Sequence, residues 1–172
     1  MIAAAFHKPK DNRVEHDLLC REVQVLYSAE KLIFSGLTRM IRKAYNPELK
    51  TTFQEHLEET GLHIERLERI AQILNINPEG DYDSSVNSLI VDNGNVAHKA
   101  PIPENLDASL MEEAQKIEQY EISGYGTAGY YALELGLIEV AVLLHETLKE
   151  ERAIEIKLSN LAKKTSCGID RG

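Results

Sequence analysis

The chain has no tryptophan and only two cysteines, Cys20 and Cys167, which stand near opposite ends without CxxC spacing. The N-terminal MIAAAFHKPKDNR has too short an apolar run for a signal peptide. A reducing, cytoplasmic setting is therefore expected. No apolar stretch approaches the ~20 residues needed to cross a bilayer, so a membrane role has no support. Basic charge is also scarce. Lysine and arginine total 19 against 28 acids, a net charge of −9, which leaves no basic stripe for a nucleic-acid backbone and makes cations the natural ligands.

What is present is a soluble, helix-rich composition: 43% hydrophobic and 27% charged residues, with five prolines and ten glycines. At 172 residues the chain suits one domain with a sizeable core. A bundle over 15–165 is expected, with flexible segments at 1–14 and 166–172.

Hydrophobic periodicity predicts an all-α fold of four helices. From about Glu15 to Ala44, a single stripe holds Leu19, Val23, Leu26, Ile33, Leu37 and Met40, and Glu30 occupies the slot that completes it. Asn46-Pro47 breaks this helix. Helix two, from about Glu48 to Leu74, carries Phe53, Leu57, Thr60, Ile64, Leu67, Ala71 and Leu74. His56, Glu59 and His63 lie one residue ahead of that stripe, about 100° around the helix, along the edge of the core. Helix three carries Leu110, Ala114, Ile117, Gly124, Ala128, Tyr131 and Leu135, completed by Glu121, and Gly136 marks the next turn. Helix four carries Leu137, Ala141, Leu144, Leu148, Leu158 and Ala162, with Glu151 and Glu155 in the intervening slots. Two short turns make two antiparallel hairpins. The long 75–109 link, with SSVNSLIV as a candidate short helix, is the single crossover of a ferritin-like four-helix bundle.

An acid inside an apolar stripe needs an explanation. Glu30 and Glu59 lie 14 or 15 residues from the first turn, and Glu121 and Glu151 lie 15 from the second, so each is roughly 22 Å along its helix. If the turns share one end of the bundle, the four carboxylates converge, with His56 and His63 flanking that level and Glu155 one turn from Glu151. Such acids would cost several kcal/mol each to bury without counter-charge, and the stripes contain no lysine or arginine. Carboxylates and imidazole from four helices are the ligand set of a dinuclear iron or manganese centre. Without metal, the acids should titrate above the ~4.3 of free glutamate, and Glu151→Gln should stabilise the metal-free protein.

Each assignment has a plainer rival. Glu30 and Glu121 would be solvent-facing if the helix phase were misread. Glu151 and Glu155 would belong to a solvated edge, since LKEERAIEIK is charged throughout. Glu58 can replace Glu59, Glu118 can replace Glu121, and spacing alone does not separate His56 from His63. Tyr27 and Tyr125, within a turn of Glu30 and Glu121, can donate to a carboxylate, although core packing is the favoured reading of both.

LYSAEKLI, HLEETGLHIERLERI, KIEQYEISGYGT and LLHETLKEERAIEIKL occur in that order. With these motifs the chain, over about 17–163, resembles the YciE/YciF family of bacterial ferritin-like stress proteins. The resemblance implies a ferritin-like bundle, a homodimer, a dinuclear iron site, a general-stress context and a ferroxidase-like activity. Ferritin-like iron sites usually take Glu-x-x-His from helices two and four; here the corresponding segments are His56-x-x-Glu59, Glu59-x-x-x-His63 and Glu151-x-x-x-Glu155. The expected centre holds two iron ions per chain, or manganese. Glu30 and Glu121 are expected as terminal ligands, Glu59 and Glu151 as bridging ones, and His56 or His63 as the nitrogen donor.

Overall fold

The computed structural model describes residues 12–80 and 103–169. Within them are four helices: α1 (Arg13–Lys43), α2 (Pro47–Leu74), α3 (Pro103–Glu134) and α4 (Ile138–Ile169). None is long and apolar enough to cross a membrane. The helix proposed for SSVNSLIV lies outside the described residues. α4 runs past the expected boundary at 165, with no proline, and no glycine before Gly168, to stop it.

The turns follow from local chemistry. Pro47 occupies the first turn of α2, and the Asn46 side chain accepts from Glu48 N at 2.8 Å and Leu49 N at 3.2 Å. This satisfies amides that have no partner inside the helix. α2 ends on Asn75 in the left-handed region, at φ 53°. Gly136, at φ 70°, makes the reversal between α3 and α4, where a side chain would be strained.

α1 pairs with α2 and α3 with α4; the hairpins then pack α1 on α3 and α2 on α4. At Gly124 a Cβ would lie 2.8 Å from Leu26 Cδ2, so glycine permits the close approach of α3 to α1. The Asp107 carboxylate, near the start of α3, accepts from Tyr45 N at 2.8 Å and Asn46 N at 2.7 Å. Lys164, late in α4, pairs with Glu48 at the start of α2 at 2.8 Å. The first turn is therefore at the end where α3 begins and α4 finishes, and Gly136 is at the other. The turns do not share an end. The acids still meet, because 15 residues from a turn is close to the middle of helices 28 to 32 residues long.

Two apolar half-cores stack along the bundle. Ile33, Leu37, Met40, Leu49, Phe53, Leu110, Ile154 and Leu158 fill the end with the first turn. Leu19, Leu26, Leu67, Ile70, Ala128, Val140 and Leu144 fill the other. Between them lies a polar layer.

Candidate metal centre

Each helix sends side chains into that layer. Glu30 comes from α1, His56 and His63 from α2, Glu118 and Glu121 from α3, and Glu151 from α4; none is more than 1% exposed. The histidines are thus in the core and not along its edge. α2 is rotated so that His56, Thr60 and His63 face inward, while Leu57 and Ile64 are only half-buried.

The donor atoms form two groups, each with all atoms within 4.8 Å of one another: His56, Glu118, Glu121 and Glu151, and Glu30, His63 and Glu151. Glu151 belongs to both. In the first group His56 Nδ1 is 3.2 Å from Glu118 Oε1, and His56 Nε2 is 3.5 Å from Glu151 Oε2. In the second, His63 Nδ1 is 2.8 Å from Glu151 Oε1 and 3.3 Å from Glu30 Oε1. These approaches are short but lack hydrogen-bond alignment: both nitrogens of His56, Nδ1 of His63 and both oxygens of Glu118, Glu121 and Glu151 are buried without a hydrogen-bond partner. Buried polar atoms are seldom left so, and atoms that crowd together without bonding one another suit a shared third partner. Carboxylate and imidazole donors at this density could hold a metal ion, and Glu151 is common to both groups.

The electrostatics point the same way. Burial, followed by the charge of Glu151, raises the carboxyls of Glu118 and Glu121 well above the ordinary 4.5. Burial acts in the same sense on Glu151, but the adjacent His56 and His63 rings outweigh it and hold that carboxyl down to about 2. His63 is raised to about 10, because its contacts with Glu151 and Glu30 outweigh the burial that disfavours its charged form. The expectation of a raised carboxyl thus holds for Glu118 and Glu121 and fails for Glu151, which the histidines counter-charge.

An outer set of residues holds the second group. The Tyr125 hydroxyl donates to Glu30 Oε1 at 2.5 Å, leaving Oε2 free. Tyr125 is therefore more than packing, whereas Tyr27 donates to Glu68 at 3.0 Å, away from the centre. Glu150, which the sequence reading missed, lies 3.0 Å from His63 Nε2 and pairs with Arg66. Its position beside Glu151 in a charged run hid it; only the reach of Arg66 across α2 and α4 exposes its role.

Two predicted ligands lie outside both groups. Glu59 is half-buried on the α2–α4 seam, because Thr60 takes the inward position between the histidines and turns Glu59 about 100° aside. Its Oε2 is buried and unpartnered, and burial raises its carboxyl against the pull of Lys157, then His56. Glu155, also half-buried, accepts from Ser159 at 2.9 Å, and Ser159 in turn accepts from Gln115 at 3.0 Å. That pairing belongs to the α3–α4 seam. Glu118, the alternative to Glu121, joins it in the first group.

A four-helix bundle with one long crossover, whose middle layer gathers four glutamates and two histidines, defines a ferritin-like protein with a buried carboxylate–histidine core. The chain belongs to the DUF892 family, described as a domain of unknown function, whose profile matches residues 14–167, and so to the family of the stress protein YciF. It is 39% identical to protein YciF of Escherichia coli K12 over 137 residues, which cover 79% of this chain and 82% of that protein. The crystal structure of the E. coli stress protein YciF superposes with a TM-score of 0.82 at 33% identity, covering 92% of this chain and 98% of that one. YcfI of Rhodopseudomonas palustris, ascribed a structural role provisionally, superposes with a TM-score of 0.81 at 34% identity, over 88% of this chain and 97% of its own. A protein of Xanthomonas campestris shares the fold, with a TM-score of 0.70 at 20% identity over 90% of this chain and 95% of its own.

Proposed function

We propose that this chain binds a pair of metal ions, iron foremost, and that it serves a bacterial stress response by reacting ferrous iron with dioxygen or peroxide. The observation that carries this reading is the pair of donor groups sharing Glu151, with their nitrogens and oxygens buried and unpartnered. Two cations would relieve both the missing hydrogen bonds and the mutual repulsion that, after burial, raises Glu118 and Glu121. The kinship with a stress protein supports the setting.

When bound, a ferrous pair supplies two electrons, which with two protons convert one peroxide to two waters. The chain's own part is to hold the donors. Tyr125 fixes one oxygen of Glu30 and leaves the other for the centre. Burial of all six side chains excludes bulk water, which strengthens every electrostatic contact within. Anaerobic ferrous loading followed by elemental analysis should find about two irons per chain, and oxygen or peroxide should then be consumed. A stoichiometry near zero would remove the centre from the protein.

A second reading, a non-catalytic stress protein with a structural metal site, is favoured by that same burial, which leaves no exposed donor in either group. Metal that binds but consumes neither oxidant, as iron or as manganese, would select it.

We also propose a homodimer through the outer face of the α3–α4 hairpin. Tyr130 and Leu133 are 58% and 62% exposed there, with Ile138 and Val142 on the facing helix at 61% and 51%. Leu137, at the turn between the two helices, is half-buried against the core and outside this face. Light scattering should give twice 19.3 kDa at micromolar concentration.

A further inference from the structure

Both nitrogens of His63 lie close to carboxylates, but to different ones. Nδ1 faces inward, at 2.8 Å from Glu151 and 3.3 Å from Glu30, with no hydrogen bond. Nε2 faces outward and is in hydrogen-bond geometry with Glu150 Oε2 at 3.0 Å. Glu150 is in turn gripped from α2. Arg66 Nη1 pairs with the same Oε2, Nη2 donates to Oε1 at 2.9 Å, and Nη1 also reaches Thr147 Oγ1 at 3.2 Å. Glu150 is 32% and Arg66 21% exposed, so the pair is the solvent-side wall of the second donor group. His56 has no such support, since both of its nitrogens are unpartnered.

A metal-bound imidazole has given up one proton and carries one N–H and one coordinating lone pair, and whichever nitrogen donates to an outer acceptor leaves the other for metal. Glu150, being paired with a guanidinium, is an acceptor toward His63. We propose that Glu150, held by Arg66, is a positioning residue that keeps the proton of His63 on Nε2 and so makes Nδ1 the metal-binding nitrogen. The inference rests on the metal-centre reading and deepens it. It separates the two histidines that sequence spacing could not: His63 is the pre-oriented donor, and His56 is oriented only by what it binds. The Tyr125 ring, edge-on to His63 with centroids 6.2 Å apart, packs against the imidazole and itself donates to Glu30. Thus two of the three donors of the second group are held before a cation arrives.

The test uses the full chain with 15N-labelled histidine and Zn2+ as a diamagnetic probe. Long-range 1H–15N correlation, with His63→Gln for assignment, should show His63 bound through Nδ1 and protonated at Nε2. Glu150→Ala should weaken Zn2+ affinity by about 10- to 100-fold. Glu150→Gln should restore most of it, because Arg66 and His63 both donate toward the atom that Oε2 occupies and therefore orient the amide oxygen there. Coordination of His63 through Nε2, equal losses for alanine and glutamine, or an unchanged affinity for alanine would overturn the proposal while leaving the metal centre standing. Failure of the wild type to bind Zn2+ and ferrous iron alike would remove both. The wild-type spectrum and the glutamine variant decide the matter even if Glu150→Ala does not fold.

Discussion

Replacing Glu121 with glutamine should make the metal-free protein more stable, by an amount that depends on pH. Glu121 is fully buried, and neither carboxylate oxygen has a hydrogen-bond partner. Burial, then the charges of Glu151, Glu30 and Glu118, raise its carboxyl well above the ordinary 4.5. A folded group with a raised pKa keeps a proton that the unfolded chain gives up. Its contribution is therefore most favourable below the unfolded value and is lost as pH rises through the folded one. Each pH unit between the two costs about 1.4 kcal/mol. From 4.5 to pH 7 is 2.5 units, which sets a ceiling of about 3 kcal/mol on the cost of Glu121 at pH 7. Glutamine keeps the shape and removes the titration. The gain in Tm at pH 7 should accordingly reach up to roughly 6–12 °C for a chain of this size, and shrink toward zero as pH falls to 4.5. With ferrous iron or zinc the order should reverse, because the variant lacks one donor. Thermal unfolding followed by circular dichroism at pH 5, 6 and 7, with chelator and with metal, reads all of this. A metal-free variant that melts below the wild type at pH 7, or a gain that stays constant toward pH 5, would refute the picture of Glu121 as a buried acid without a counter-charge.

Glu151→Gln should act in the opposite sense without metal. Its carboxyl is held down to about 2, so it contributes stability above the unfolded 4.5 that is lost as pH falls through 2; the variant should melt lower at pH 7, with the difference narrowing on acidification. In elemental analysis after ferrous loading, Glu30→Gln and Glu121→Gln should lower occupancy, whereas Glu58→Gln, at an exposed position, should not; equal losses in all three would contradict the helix phases. Asp107→Ala removes the acceptor for Tyr45 N and Asn46 N at the far end of the bundle. It should lower stability by roughly 2–4 kcal/mol in denaturant titration and leave metal stoichiometry unchanged.

Local chemistry determined the helices. Asn46-Pro47 and Gly136 act through their own backbone preferences, and apolar residues at helical spacing identify a buried face whatever they pack against. For the same reason Glu30, Glu121 and Glu151 were legible as buried acids: each fills a slot that the neighbouring turns define. Only the tertiary structure decided which acids meet. The turns lie at opposite ends of the bundle, which a hairpin-by-hairpin reading cannot tell, and convergence survives because the acids are near mid-helix. Periodicity fixes a helix face more loosely than it fixes a helix, so the rotation of α2 that brings His56 and His63 inward and turns Glu59 to the seam came from packing against α1 and α4. Glu118 joins Glu121 for a related reason. Residues three apart share a face, and how much of that face is enclosed depends on the helices around it. Glu150 and Arg66 were beyond the sequence altogether, since their pairing depends on two long side chains spanning the gap between α2 and α4, 84 residues apart along the chain.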